Sequence, residues 1–382
     1  MRVKKNVRSE VCIDLPYWIS NQGPQSDLVI STRVRLARNL AKYRFPYHAG
    51  RSERSRVFDL VAEVIESEKE FSSFAVVNCN SITPIERQLL FEARIISPDL
   101  ITAEGDRGVA VDGHEHTAVM INEEDHLRLL AVESGYAPEE VWERVNRLDD
   151  SLGRYLSYAY DVRRGFLTSC PTNSGTGLRI SFLLHLPGLT LTRTIDSVLL
   201  AASHMGISTR GFFGEHSEIV GNLFQLSNQA TLGLGEEEFI QNTRKVVDEV
   251  LSHERKARKR ILDDASMELS DKVFRSWGIL LHAKMLTVNE FLNLASALRL
   301  GIDCGIFKEI PIERLNKAVM MVMPAHLQQY RHKTIPEEQE ACERADVVRE
   351  LLGVSVRRRT TTRPKGTRVS GKKIAERGDD KS

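Results

Sequence analysis

Four short segments of this chain combine arginines, carboxylates and glycines at spacings suited to gripping a polyphosphate and moving a proton. The first is Ser31-Thr32-Arg33-Val34-Arg35-Leu36-Ala37-Arg38-Asn39. In an extended segment Arg33 and Arg35 point to one face. Two guanidinium forks side by side can each hold phosphate oxygens bidentately. Taken alone, the pattern reads first as a solvated basic edge strand. The second is Asn122-Glu123-Glu124-Asp125-His126-Leu127-Arg128. Adjacent carboxylates repel, and burial raises their pKa further. A carboxylate raised in this way can act as a general base near neutrality. An ordinary acidic turn at a strand end has the same composition.

The third segment is Cys170-Pro171-Thr172-Asn173-Ser174-Gly175-Thr176-Gly177-Leu178-Arg179. Its glycines let backbone N–H groups approach an anion closely. It lacks the Gly-Lys-Ser/Thr of a Walker loop and the GxGxxG of a dinucleotide site. Cys170 beside this polar loop is either a tuned thiolate or a small buried apolar group. The fourth is Arg210-Gly211-Phe212-Phe213-Gly214-Glu215-His216-Ser217-Glu218. Its glycines flank two aromatics, as in a loop that closes on a ligand, and an ordinary surface loop reads the same way. Together the four segments supply Arg33, Arg35, Arg128, Arg179 and Arg210, with carboxylates on two of them. Phosphoryl transfer between ATP and a cationic acceptor needs that combination.

These residues need a scaffold. Val109–Val111, a turn at Asp112-Gly113 and Thr117–Ile121 read as a hairpin, and Gly177–Leu186 as a strand broken by Pro187. Val57, Leu60, Val61, Val64 and Ile65 lie on one face of a helix over 53–67. Thr83, Pro84 and Glu86 open another with a capping box. Residues 1–30 read as an extended N-terminal segment. From about residue 236 the pattern turns helical. Phe239, Val246, Val247, Val250 and Leu251 mark a long helix. Thr287 and Glu290 form a second capping box with Gly301 as the stop, and Pro311 opens a helix that Pro324 ends. The expected fold class is α+β: a mainly antiparallel sheet flanked by helices over 31–255, a smaller helical domain over 256–352, and a tail over 353–382. The antiparallel character is only hinted at by the hairpin.

The chain's net charge of +1 conceals an asymmetry: residues 353–382 carry +7, leaving −6 for the rest. A folded acidic body with a flexible basic tail is expected. No aromatics interleave Arg357-Arg358-Arg359 or Lys372-Lys373, which argues against nucleic-acid binding. Cys12, Cys79, Cys170, Cys304 and Cys342 form no CxxC pair, so neither a zinc site nor a disulfide framework is expected. Free thiols, no signal-peptide pattern and an apolar run no longer than Ala318 to Met323 point to a soluble, cytoplasmic protein away from membranes.

The segments STRVRLARN, NEEDHLR, CPTNSGTGLR and RGFFGEH resemble, in order and spacing, those of the phosphagen (ATP:guanidino) kinases. The resemblance spans roughly residues 27–260. It implies an antiparallel catalytic sheet, ATP as phosphoryl donor and Mg²⁺ carried by the nucleotide and its waters. It implies that Ser31, Arg33, Arg35, Arg128, Arg179 and Arg210 hold the nucleotide. It further implies that Glu124 orients and deprotonates the acceptor guanidinium, that Glu215 is the second substrate carboxylate, that Cys170 lies beside the guanidinium and that Glu123 touches the metal shell through water.

Small-molecule members of that family carry a helical domain ahead of the first arginine motif, whereas here the motif begins at residue 31 and a helical part follows. This arrangement, with ISPDL (96–100) and FQLSNQATLG (224–233), resembles the McsB-type protein arginine kinases. That implies protein arginines as acceptors, a homodimer formed through the helical domain, an activator protein and a Clp-type unfoldase as partners. Other readings are a free-arginine kinase and a non-catalytic phosphoarginine-binding pseudokinase. The group's phosphoarginine-binding motif Arg-Asp-x-x-Arg-Ala aligns with Glu340-Ala341-Cys342-Glu343-Arg344-Ala345, which keeps Arg344 but places an acid where the first arginine is expected. Leu183 stands where creatine kinase has a histidine near the adenine.

Overall fold

Successive side chains of a strand face opposite sides, so Arg33 and Arg35 look one way from the central sheet and the buried Val34 and Leu36 the other. The computed structural model describes residues 15–102, 105–113, 117–212 and 219–353. Strands β1 (Val29–Arg38), β2 (Phe74–Asn78), β3 (Gly108–Asp112), β4 (Thr117–Ile121) and β5 (Leu127–Ser134) come first. A small ribbon of β6 (Tyr160–Asp161) and β7 (Gly165–Phe166) precedes β8 (Leu178–His185), β9 (Ile207–Gly211) and β10 (Leu223–Asn228). The eight-stranded sheet has the order β2-β3-β4-β5-β1-β8-β10-β9, and every neighbouring pair is antiparallel.

Helices α1 (Arg51–Ser67), α2 (Pro84–Glu92), α3 (Pro98–Ile101), α4 (Pro138–Gly153), α5 (Pro187–Leu191), α6 (Ile195–His204) and α7 (Glu236–Asp264) accompany the strands. On the back of the sheet, Val34, Leu36, Ile180 and Phe182 pack with Val57 and Val61 of α1, Val141 and Val145 of α4, and Val247 and Val250 of α7. Burying each such side chain contributes about 1.5–3 kcal/mol before chain entropy is charged against it. On the front, Leu89, Leu90 and Leu100 of α2 and α3 cover Val109, Val111, Ala118 and Met120.

The helical part comprises α8 (Ser266–His282), α9 (Val288–Asp303), α10 (Ile312–Met321), α11 (Pro324–Arg331) and α12 (Glu337–Leu351). Its core continues onto Trp18, Ile30, Val132, Leu183 and Phe212. The sheet flanked by helices and the following helical region are as the sequence led us to expect.

Local details differ from expectation. Within residues 15–30, Tyr17–Ile19 form a 3-10 turn, and Trp18 is buried with its indole N–H donating to the Ala93 carbonyl at 3.1 Å. Thr83 and Glu86 form the expected capping box. At α9 only the Thr287 half forms, accepting from the Glu290 N–H at 3.1 Å. Gly301 lies inside α9 rather than ending it. A Cβ there would sit 2.6 Å from a Val273 methyl, so the glycine serves close approach of α8 and α9. Pro187 and Pro324 each open a short helix, because a first-turn proline forfeits no helical bond. The basic tail beyond Gly353 lies outside the described residues.

Candidate active site

The open strip of the sheet's front face is lined by arginines. Arg35 on β1 stands directly opposite Arg179 on β8, and Arg33 opposite Ser181. Arg128 on β5 faces Ala37 at the end of β1. Arg210 on β9 pairs in register with Gln225 on β10. All five sequence-selected arginines therefore converge on one surface, each only partly buried. Ser31 pairs with Leu183 and is buried. Leu183 lies with Trp18 and Phe212 along a cavity of about 40 Å³.

Among the described residues Arg33 and Arg35 have no carboxylate partner, whereas Arg128 is paired with Glu123 and Glu124. Arg179 donates to the hydroxyls of Ser227 and Ser208 at 3.1 and 3.2 Å. Arg33 reaches the Gln225 side-chain oxygen at 3.5 Å, and its Nε is buried without a partner among the described residues. Burial, then Arg94, Arg179, Arg128 and Arg210, push the Arg33 pKa well down. Burial and Arg33 do the same to Arg35. A guanidinium does not release its proton in practice. Both therefore stay cationic at close quarters, an arrangement that favours an anion between them.

The carboxylate side begins at the end of β4. Asn122 takes a left-handed φ of 56° and turns the chain. Asp125 is fully buried and accepts from the Asn39 amide at 2.6 Å and the Ser169 N–H at 2.7 Å. His126 accepts from the Leu40 N–H at 3.0 Å, and its Nε2 meets the Arg44 carbonyl at 3.0 Å. These bonds tie the acidic turn to the end of β1 and to the Cys170 loop.

Glu124 thereby faces the arginines. Its carboxylate accepts from Arg128 Nη2 at 2.7 Å and from the Asn173 amide at 3.3 Å. Burial raises its pKa, with Asp125 and Glu123 adding to the rise and Arg128 opposing it. Glu123 is buried and accepts from Arg128 Nη1 at 2.8 Å. Burial alone would raise Glu123, but Arg128 and the Glu124 N–H bring it net down. Asp99, on α3, is raised by burial and by Glu123 against it.

Cys170 is partly exposed, with its sulfur 2.9 Å from the Thr172 hydroxyl. Its loop depends on two glycines with positive φ. Gly175 has φ +107°, and a Cβ on it would lie 2.4 Å from the Thr231 carbonyl oxygen. Gly177 has φ +64°, and a Cβ there would lie 2.6 Å from the Ala37 carbonyl oxygen. Glu215 lies outside the described residues.

Arg344 lies away from this strip. It is buried and donates to the Val322 and Leu286 carbonyls at 2.8 and 3.0 Å and to Glu340 at 3.1 Å. Sequence reasoning passed over Arg94, Gln225 and Asp99. Gln225 lay within the segment FQLSNQATLG and Asp99 within ISPDL, but no spacing rule marked either one. Arg94 carried no sequence signal.

The chain's matches agree with this geometry. Residues 56–257 match the family model for the ATP:guanido phosphotransferase C-terminal catalytic domain. Residues 266–363 match that for the protein-arginine kinase McsB C-terminal domain. A protein-arginine kinase from Brevibacillus brevis is 40% identical over 339 residues, covering 88% of this chain and 95% of the relative. One from Bacillus cereus (strain AH187) is 38% identical, covering 88% and 96%. Among solved structures, a lombricine kinase aligns with a TM-score of 0.55 at 24% identity, covering 63% of this chain and 70% of its own. The duplicated taurocyamine kinase from Schistosoma mansoni aligns with a TM-score of 0.55 at 24% identity, covering 65% and 37%. At that identity the solved structures speak for the fold. The chain belongs to the protein-arginine kinases of the ATP:guanido phosphotransferase family.

Proposed function

We propose that this protein transfers the γ-phosphoryl group of ATP to arginine side chains of other proteins. The observation that carries this reading is the convergence of five arginines, Arg33 and Arg35 among them without a carboxylate partner among the described residues, beside a carboxylate, Glu124, that already accepts a guanidinium in the resting structure. The cage suits the charge spread over a transferring phosphoryl group. Glu124 suits the acceptor.

An arginine guanidinium is protonated at neutral pH and becomes a nucleophile only when it loses a proton. In this reading Glu124 holds one edge of the planar group and takes the proton. The family resemblance assigns the other edge to Glu215. The freed nitrogen attacks the γ-phosphorus in line and ADP leaves, its charge held by Arg33, Arg35, Arg128, Arg179 and Arg210. Arg128 gives up its bonds to Glu123 and Glu124 as phosphate and substrate arrive. Asn173 steadies Glu124, and Cys170 borders the substrate.

Magnesium enters as the nucleotide's counter-ion. Among the described residues no group of three or more His, Cys, Asp or Glu side chains is placed to hold a metal. Glu123, fully buried and bonded to Arg128 at 2.8 Å, would take an outer role toward the hydrated cation once Arg128 releases it. Magnesium would neutralise developing charge on the phosphates.

Several finer points accompany the reading. Met267, Phe274, Ile279 and Met285 are exposed on and just beyond α8, which supports a homodimer formed through the helical region. Arg344, bonded to two carbonyls and to Glu340, supports a bracing role more than phosphoarginine capture. No helix among the described residues is long and apolar enough to cross a membrane. The activator and the Clp-type unfoldase rest on the family resemblance, and the free thiols of Cys79, Cys170, Cys304 and Cys342 support a reducing, cytoplasmic setting.

Incubation of the chain with labelled ATP, Mg²⁺ and an arginine-containing protein tests the reading. Phosphate on arginine is the expected outcome. Turnover on free arginine alone would replace protein by small molecule as the acceptor.

A further inference from the structure

Arg94 follows α2 with a left-handed φ of 64°, a conformation that disfavours a non-glycine residue. Two anchors hold the segment there. Glu92 is 5% exposed. Its carboxylate accepts from the Ala325 and His326 N–H groups at 2.9 and 3.0 Å and lies 2.7 Å from His326 Nδ1. It therefore caps the first turn of α11. The second anchor is the Trp18 indole bond to the Ala93 carbonyl.

The turn projects the Arg94 guanidinium against the adjoining rings of Trp18 and Phe212, at 5.4 and 5.3 Å from centroids that are themselves 6.3 Å apart. Arg94 Nη2 donates to the Gln225 side-chain oxygen, which Arg33 also reaches. Arg94 Nη1 is buried and has no hydrogen-bond partner among the described residues. No described carboxylate pairs with this guanidinium. Burial and Arg35 bring its pKa down to about 10. A desolvated cation beside like charges, with a donor left open, is unfavourable unless an anion completes the site. The aromatic faces offset part of that cost.

Resting on the kinase reading above, we infer that Arg94 is a sixth guanidinium of the nucleotide site, taking an oxygen of the bound polyphosphate. The bonding of Glu92 to α11 makes Glu92 a positioning residue. Through it, the helical region sets where Arg94 points.

The test uses the full chain with MgADP for equilibrium binding and MgATP for initial rates. Arg94→Met keeps much of the apolar stem and removes the charge. The expected result is a rise of about tenfold or more in the ADP Kd and the ATP KM, the change that loss of one charge-assisted hydrogen bond produces. Thermal stability should stay near that of the wild type, and Arg94→Lys should recover part of the binding. Glu92→Gln should weaken nucleotide binding in the wild type but add little in an Arg94→Met background, because the two residues act through one contact.

Arg33→Met serves as the reference. If it weakens ADP binding while Arg94→Met does not, nucleotide binds this cage without Arg94 and the inference is overturned. A loss in Arg94→Met that tracks a loss of folded protein and is not recovered by lysine would also overturn it. A wild-type chain that binds ADP but phosphorylates no arginine would sink the kinase reading and leave Arg94 judged by binding alone. A wild-type chain that binds no nucleotide would overturn both.

Discussion

The carboxylate of Glu124 and the guanidinium of Arg128 meet at 2.7 Å, four residues apart across the turn into β5. The resting site thus places an internal guanidinium on the carboxylate assigned to the substrate's guanidinium. Removing Arg128 frees Glu124 but takes one cation from the phosphate cage. Arg128→Ala should therefore raise the KM for ATP by about tenfold or more, as for other lost charged contacts. Substrate-protein KM should change less. Steady-state kinetics with each substrate varied in turn would show the split, and a KM change confined to the protein substrate would contradict it.

Glu124→Gln keeps the shape and removes the base. Turnover should fall by about a hundredfold to ten-thousandfold, with thermal stability little changed because the side chain is about one-third exposed. The pH dependence has a definite sign. Burial lifts the Glu124 pKa above the ordinary glutamate value of 4.5, and the protonated form cannot accept a proton. The wild-type rate should rise with pH through a midpoint above 4.5, and that limb should vanish in the Gln variant. An unchanged acidic limb would assign it to another group.

Arg38 is held by Asp149 at 2.6 Å and stacks on Phe166 at 3.5 Å from the ring centroid. Nη1 also donates to the Ala37 and Thr176 carbonyls at 2.9 and 2.8 Å. This pair ties β1 to α4 and to the glycine loop, so its work is structural. Asp149→Ala leaves a buried cation unpaired and should lower stability by about 3–5 kcal/mol, read by urea denaturation. A loss below about 1 kcal/mol, the range of exposed pairs, would show that water reaches the site.

His185 is fully buried, and burial with Arg258 and then Arg299 holds its pKa well below 6.5. Its Nε2 lies 2.8 Å from the Ser296 hydroxyl. The folded state keeps it neutral while the unfolded chain protonates below about pH 6.5, so this group costs stability as pH falls from there. The slope contributed is up to about 1.4 kcal/mol per pH unit. His185→Gln should flatten the fall in Tm between about pH 6.5 and 5. An equal slope in the variant would show that other groups carry the acid sensitivity.

Much of this was legible in the sequence because local rules agreed with the global fold. Strand alternation put Arg33 and Arg35 on one face, as β1 has them, while the glycines of the third segment, read as an approach for an anion, turn out to hold positive φ that keeps the loop against Thr231 and Ala37. The Thr83 cap was readable from four residues. What stayed hidden depends on distant contacts. Gly301 reads as a helix stop until Val273 is seen against it, because close packing and termination favour the same residue. Arg94 gives no signal because its role comes from a left-handed backbone fixed by Glu92 and α11. Asp99 and Glu123 are brought together by the fold alone.

The most direct test of the central claim is phosphosite mass spectrometry on an unstructured, arginine-containing protein after incubation with the purified chain, labelled ATP and Mg²⁺. The account predicts acid-labile phosphate on arginine, present with the wild type and nearly absent with Glu124→Gln. Phosphate confined to hydroxyl side chains, or turnover with free L-arginine and none with protein, would contradict it.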